Sequence, residues 1–416
     1  MTRLLLFNKI STHTKLLIFI TIIGAVLRGW GAFDYQGYYG DDAIDIPAAR
    51  DYMENGLGNW RYPYLKSIII GITIKIFGDN SVGWRFDSVL FGTLTIVMVY
   101  LVAQQLYRNN NISLIAATVL AFDPFTIHFC RQSLMEIPVI FFFLVYVYLL
   151  LEYCENSRKT LTGAGIAVGL TIATKAYFIF AIPVVGFYAF YRALNCHNTR
   201  IIPLTIEFMI KLVLLPVSIY LLTHILWFGR GHTLGEFFLL KFDAAWILNQ
   251  WNFVNASILH QGGKPWEWFI KAFSFGHHLS QDGQLGRFSL QINNPLIRLL
   301  VLPSTALVCW QAVADRTLRH LIAPAMFLSC YILFFLVKRD VNSYSCLVLL
   351  PFAYMMVGKA VSILSSRFHR EDEVTAAFVF VAVIMGIYLF PVSTGFQVPV
   401  NMYRHVLEYS SITSVF

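Results

Sequence analysis

The chain has 416 residues, 57% hydrophobic and only 13% charged, with a net charge of +8. Soluble domains carry about 25% charged residues, so a string of soluble domains is excluded, as is a disordered chain. A disulfide-stapled scaffold is excluded too, because the six cysteines show no CxxC pairing.

What remains is an all-α polytopic membrane protein. No basic run exceeds two residues, so no nucleic acid partner is expected, and the excess cations report topology and anionic lipid. A spanning helix needs about 20 mostly apolar residues. About eleven such stretches follow in chain order, near residues 16–33, 84–106, 112–127, 134–153, 160–175, 177–193, 204–227, 297–314, 320–337, 344–364 and 374–391. Unbroken apolar runs such as Ile137 to Leu151 favour helices over a barrel, whose strands would alternate. The first stretch follows Arg3, Lys9 and Lys15 without a small-residue cleavage site, and reads as an uncleaved anchor. Cations in the short turns (Arg108, Arg158 with Lys159, Arg192 with Arg200, Arg316 with Arg319, Arg367 with Arg370) place those turns and the N-terminus in the cytoplasm. Two long connections, about 34–83 and 228–296, then lie on the outer face, where interfacial helices are expected. The whole of 1–416 reads as a single membrane domain.

With charge so scarce, ionisable residues near the membrane are candidates for function. The first outer loop carries Asp41 and Asp42. Beneath an apolar interface their ionisation is coupled, and one can be poised to accept a proton; the plainer alternative is an acidic cap on an interfacial helix. Tyr62 to Lys66 forms a turn into an apolar helix, where Lys66 is either a snorkelling cation or a ligand. Arg131 stands five residues before Glu136 at an outer helix boundary, where a salt bridge between neighbouring segments is the structural alternative. Lys175 interrupts an apolar turn, and Lys338 and Arg339 break the positive-inside pattern. Cations gathered near a carboxylate pair suit a phosphate, which takes charge-assisted donors, and a hydroxyl, which needs a base. There is no HExxH, no Walker loop and no GxGxxG before a helix, so neither a metal nor a nucleotide is expected.

These residues, in order, resemble motifs of the protein O-mannosyltransferases, members of the GT-C superfamily of polyprenyl-phosphate-dependent glycosyltransferases. Arg28 is similar to the family's arginine at the outer end of the first span. Asp41-Asp42 resembles its Asp-Glu pair, and Tyr62-Pro63-Tyr64-Leu65-Lys66 its His-Pro-Pro-Leu-Gly-Lys turn. Arg131 to Glu136 resembles its Arg-x-x-Met-Leu-Asp segment, and Lys175 falls where the family has a basic residue. Gly263-Lys264-Pro265-Trp266-Glu267-Trp268 resembles its Ser-x-Pro-Trp-x-Trp-Pro stretch. Asn294-Pro295 matches the Asn-Pro opening its next span, and Arg339 through Pro351 resembles its Arg-x-x-Phe-x-Tyr-x-x-Pro-x-x-Pro pattern.

The resemblance implies a GT-C fold and an inverting transfer of mannose from a polyprenyl phosphate to Ser or Thr of a protein. It implies that Asp41 is the base, with Asp42 orienting the acceptor or sharing the proton. Arg131, Lys175, Lys66 and Arg339 are expected on the donor phosphate. Arg28, Tyr62, Glu136, Trp266, Glu267 and Trp268 are expected to position the acceptor or the loops. The expected partners are membrane lipids, the lipid-phosphate sugar and a protein acceptor; related enzymes include dimers, and no cofactor is implied. Besides a purely structural membrane subunit, which the acidic pair and displaced cations disfavour, two alternatives stay open. One is transfer of another lipid-linked sugar (aminoarabinose or a hexose) to a glycolipid or polysaccharide; the other is a transporter or flippase.

Overall fold

The structure is a computed structural model that describes residues 11–59, 62–155, 159–196, 200–241, 243, 264–269, 273–280, 284–336, 341–368 and 370–409. Each of the eleven expected stretches falls on a helix. The first is α1 (Thr12–Gly29), started by the Ser11 hydroxyl accepting from the Thr14 N–H. Then come two short helices of the first loop, α2 (Asp42–Asn55) and α3 (Leu65–Phe77), and the 27-residue α4 (Ser81–Tyr107), capped by Asn80. A bent pair follows, α5 (Asn110–Phe122) and α6 (Pro124–Cys130), at 58° to one another. The bend is local chemistry: Pro124 has no N–H to continue the ladder, and the Asp123 carboxylate restarts the helix by accepting from Thr126 N–H at 2.8 Å.

The chain continues through α7 (Glu136–Glu155), α8 (Thr160–Thr174), α9 (Ala181–Cys196), α10 (Ile201–Met209), a π-helical turn (Ile210–Leu214) and α11 (Leu215–Leu222). The short α12 (Ile225–Gly229) and α13 (Leu234–Lys241) open the second long connection. The bundle closes with α14 (Pro295–Ala314), α15 (Ile322–Leu336), α16 (Leu350–Arg367) and α17 (Glu371–Thr394), before the amphipathic α18 (Val400–Tyr409). Among the described residues, seven helical stretches are long and apolar enough to cross a membrane, with Ile201–Leu222 and Leu318–Leu336 each counted as one, and an eighth if the bent pair is one span. The remaining expected spans are shorter or more polar: α8 has 15 residues, α9 has 16, and α16 carries Lys359 and Arg367.

A three-stranded antiparallel sheet is added to the expected helices: β1 (Phe273–Leu279), β2 (Leu285–Gln291) and β3 (Gln397–Pro399), in that order. Residues 285–291 largely alternate exposed and buried, the period of a half-covered strand. Interfacial helices alone were expected in this loop, and the hairpin corrects that.

Within the bundle, water does not drive helices together, so close packing must. Phe143 of α7 stacks on Phe178 at 3.9 Å, and α7 buries Tyr146, Val147 and Leu150 completely. Gly165 of α8 lets the π-helical turn approach so closely that an added Cβ would meet the Lys211 carbonyl oxygen at 1.9 Å. Gly165→Ala is therefore expected to cost about 1–3 kcal/mol, read as a lower thermal midpoint in detergent; an unchanged midpoint would contradict this contact.

Long-range polar contacts gather at two ends of the bundle. At one, Gln105 donates to Glu152 at 2.6 Å, and Arg108 and Arg319 both pair with Glu155. At the other, Lys175 meets Glu136, His128 meets the Ser393 carbonyl at 2.6 Å, and the Asn294 N–H donates to Asp123 at 3.1 Å. The first loop and the sheet sit at this second end, and so do the expected site residues that the structure describes.

Candidate active site

Asp41 and Asp42 are neighbours in sequence, but the turn into α2 sends them to different partners. Asp42 is fully buried and accepts from Arg85 (Nε 2.9 Å, Nη2 2.8 Å), from the Ser133 N–H at 2.7 Å and from the Tyr39 N–H at 3.1 Å. Arg85 spends its other donors on the carbonyls of Ala32, Tyr35 and Gly37. The pair thus ties the first loop to α4 and to the turn before α7. Asp41 caps α2 with no hydrogen bond to its own side chain, and its carboxylate has no hydrogen-bond partner among the described residues. Burial pushes its pKa up to about 6; Glu136 and Asp42 push the same way, and Lys175 opposes them.

Facing Asp41 is a second charged pair. Lys175 Nζ donates to Glu136 Oε1 at 2.5 Å, with Glu136 completely buried at the start of α7. The other oxygen of Glu136 has no protein partner among the described residues. Three tyrosine rings surround the ammonium: Tyr177 at 4.5 Å, Tyr344 at 5.6 Å and Tyr62 at 5.9 Å. Two backbone features place the lysine here: α8 ends at Thr174, and Lys175 takes an extended conformation that turns the chain toward α7. The structure brings together Asp41, Glu136, Lys175 and Tyr62, and adds Tyr177 and Tyr344. Tyr344 lies inside the Arg339–Pro351 motif, so a signal for it was present.

Asp45, one turn along α2 from Asp41, is a further buried carboxylate that sequence reasoning left unassigned. One of its oxygens has no partner among the described residues, and burial holds its pKa well above the usual range. The signal was its i+4 spacing from Asp41.

Other expected residues sit elsewhere. Lys66 is 1% exposed and bonded to Asp87 at 2.5 Å and to Ser88 at 3.2 Å. Its charge is matched within the fold rather than open to a phosphate. Lys66→Met alone is expected to cost about 3–5 kcal/mol, with Lys66→Met/Asp87→Leu recovering most of it; equal thermal midpoints for the single and double variants would contradict the pairing. Arg28 is also fully buried, donating to the carbonyls of Gly24 (3.1 Å), Leu120 (2.9 Å) and Ala121 (3.2 Å). The last two are carbonyls that the bend at Pro124 leaves without helical partners, so Arg28 braces the bend.

Arg131 donates to the Trp30 and Thr394 carbonyls and lies 5.8 Å over Phe396. Burial pulls its guanidinium down to about 10, still protonated at neutral pH. It lines a cavity of about 590 Å³ together with Tyr39, Arg85, Arg287 and residues 393–397. That cavity adjoins the Asp41 cluster through Asp42, which both Tyr39 and Arg85 contact.

In the second loop, Pro265–Phe269 is a 3₁₀ turn closed by Glu267 accepting from the Lys264 N–H at 2.7 Å. Trp268 is buried edge-on against Phe334 at 5.0 Å, and Trp266 is half exposed against Phe335. Trp268 and Glu267 thus fix the turn, while Trp266 offers its ring outward. Arg339, Lys338 and Gly263 lie outside the described residues. Among the described residues, no group of three or more His, Cys, Asp and Glu is placed to hold a metal ion.

Comparison with known proteins bears on the fold. The family model for dolichyl-phosphate-mannose–protein mannosyltransferases matches residues 62–220. An uncharacterized protein of Aquifex aeolicus is 30% identical over 164 residues, a match that spans 38% of this chain and 33% of that protein. The polyprenol-phosphate-mannose–protein mannosyltransferase of Mycobacterium tuberculosis is 20% identical, covering 94% of this chain and 88% of its own. Among solved structures, the S. cerevisiae protein O-mannosyltransferase Pmt1–Pmt2 complex bound to the sugar donor superposes with a TM-score of 0.81 at 12% identity, over 96% of this chain and 92% of that one. ArnT of Cupriavidus metallidurans bound to undecaprenyl phosphate gives 0.58 at 15% identity, over 97% of this chain and 74% of that one. The fold is that of the GT-C membrane glycosyltransferases. Within that fold, residues 62–220 carry the similarity to the mannosyltransferase family model, and the M. tuberculosis relative extends the likeness over 94% of the chain.

Proposed function

We propose that the protein transfers mannose from a polyprenyl-phosphate carrier to Ser or Thr hydroxyls of a polypeptide, at the extracytoplasmic face of the membrane. The observation that carries this reading is the unpartnered Asp41 carboxylate beside the Glu136–Lys175 pair and its tyrosines. One group is built to take a proton, and the other to meet an anion. The outer placement rests on the cations of the short turns at the opposite end, and the donor and acceptor on the names of the M. tuberculosis and S. cerevisiae relatives.

In this mechanism the acceptor hydroxyl donates its proton to Asp41 as its oxygen attacks the anomeric carbon. The bond from that carbon to the phosphate oxygen breaks on the opposite face, so the configuration inverts. Polyprenyl phosphate leaves with the bonding electrons. Lys175, with hydroxyls of the surrounding tyrosines, stabilises the charge that grows on the departing phosphate. Glu136 holds Lys175 in place before the carrier arrives. Asp42 positions rather than reacts, because its oxygens are already occupied. Arg131 and the turn around Trp266 border the acceptor side, and Lys66 and Arg28 keep the scaffold in register.

The base must be ionised to work. With its pKa at about 6, log kcat/KM is expected to rise with slope one at acid pH and level off above about 6.5. A profile flat down to about pH 5 would contradict Asp41 as the base. The acceptor class is tested by offering the reconstituted protein a Ser/Thr peptide and a glycolipid side by side. Sugar on the peptide is the expected result; sugar on the lipid alone would favour the neighbouring reading of a lipid-modifying enzyme.

A further inference from the structure

The cavity that holds Arg131 carries charge that the chemistry above does not use. Arg85 is matched by Asp42. Arg131 makes only carbonyl hydrogen bonds, and neither it nor Arg287 has an ion-pair partner among the described residues. Asp34 is the one carboxylate among the lining residues. The sheet arranges donors in a row: His278 lies opposite Arg287 on β1 and β2, Arg287 opposite Gln397 on β2 and β3, and all three line the cavity. Direct cross-strand neighbours sit about 5 Å apart, so the row presents three donors abreast. The Ser393 hydroxyl is completely buried, lines the same cavity and has no hydrogen-bond partner among the described residues. Phe288 and Phe396 supply apolar walls. A volume of about 590 Å³ is within the range of small-ligand pockets and takes a few residues of peptide.

We infer that this cavity is a specificity subsite of the acceptor, in which Arg287 and Arg131 recognise a carboxylate flanking the Ser or Thr to be modified. The inference rests on the transfer reading above and names its preferred substrate, an acidic segment of polypeptide. Its position fits: the wall residues Tyr39 and Arg85 both bond Asp42, the residue next to the base. An anion held here lies a short span of chain from the attacking hydroxyl. The carrier phosphate is the other source of an anion, but it has its own lysine beside Asp41.

The test uses the full chain in nanodiscs and three peptides identical except for Asp, Asn or Lys beside the target Ser. Their binding is read by fluorescence polarisation without donor, and their KM with donor. The wild type is expected to bind the Asp peptide at least tenfold more tightly than the Lys peptide, and exposed Arg287→Glu to reverse that order. Gln397→Glu, on the same row, is expected to weaken the Asp preference. Equal affinities for the three peptides, or an order unchanged in Arg287→Glu, would overturn the subsite. Displacement of the Asp peptide by polyprenyl phosphate in wild type but not in Arg287→Glu would also overturn it, assigning the cavity to the carrier. Charge-ordered binding without sugar transfer would keep the subsite and remove the transfer reading; transfer with no charge preference would do the reverse.

Discussion

Asp41→Asn is expected to lower transfer by about 10²–10⁴-fold, the usual worth of a general base, while leaving the protein folded and inserted. The substitution keeps the shape of the side chain and removes only its basicity. Because the Asp41 carboxylate has no hydrogen-bond partner among the described residues, it has little structural energy to lose. Its environment is set for the chemistry instead: burial and Glu136 hold the pKa near about 6, and Lys175 keeps it from rising further. The comparison to make is the initial rate against the thermal midpoint in detergent. A normal midpoint with a collapsed rate supports the assignment. A rate within a few-fold of wild type would place the base elsewhere, with Asp45 the next candidate because it is buried one turn away.

Asp42→Ala is expected to act on stability rather than rate, by about 3–5 kcal/mol. Removing the carboxylate leaves Arg85 buried with its charge uncompensated and strips the Ser133 and Tyr39 N–H groups of their acceptor. Those bonds join three segments distant in sequence, so the variant should accumulate poorly in the membrane and unfold early in detergent. Asp42→Asn should fall between, since it keeps one acceptor oxygen. A variant as stable as wild type with its activity gone would return Asp42 to the reacting centre. Two adjacent aspartates with opposite signatures, one kinetic and one thermodynamic, is a demanding expectation.

Much of the architecture was legible in the sequence, because a membrane-spanning helix is a local pattern. Apolar length and turn cations mark it without knowledge of the partner helix. The sheet was not legible: β1 and β2 are short, and β3 pairs with β2 from more than a hundred residues away. Among site residues, the resemblance found Asp41, Glu136, Lys175 and Tyr62, which the structure assembles into one cluster. It also grouped Lys66 and Arg131 with the phosphate site, because a sequence shows a cation but not its counter-ion. Lys66 meets Asp87, 21 positions on, and Arg131 faces a cavity built partly from the sheet. Arg85, which holds Asp42, drew no notice, since an arginine near a helix start reads as an ordinary boundary residue.

The proposed reaction moves mannose from a lipid phosphate to a protein hydroxyl with Asp41 as base. The most direct measurement is mass spectrometry of a Ser/Thr peptide incubated with the purified full chain in liposomes containing polyprenyl-phosphate mannose, alongside Asp41→Asn. One hexose on Ser or Thr is expected with the wild type and almost none with the variant. Unmodified peptide with a correctly folded wild type, or equal modification by both proteins, would contradict it.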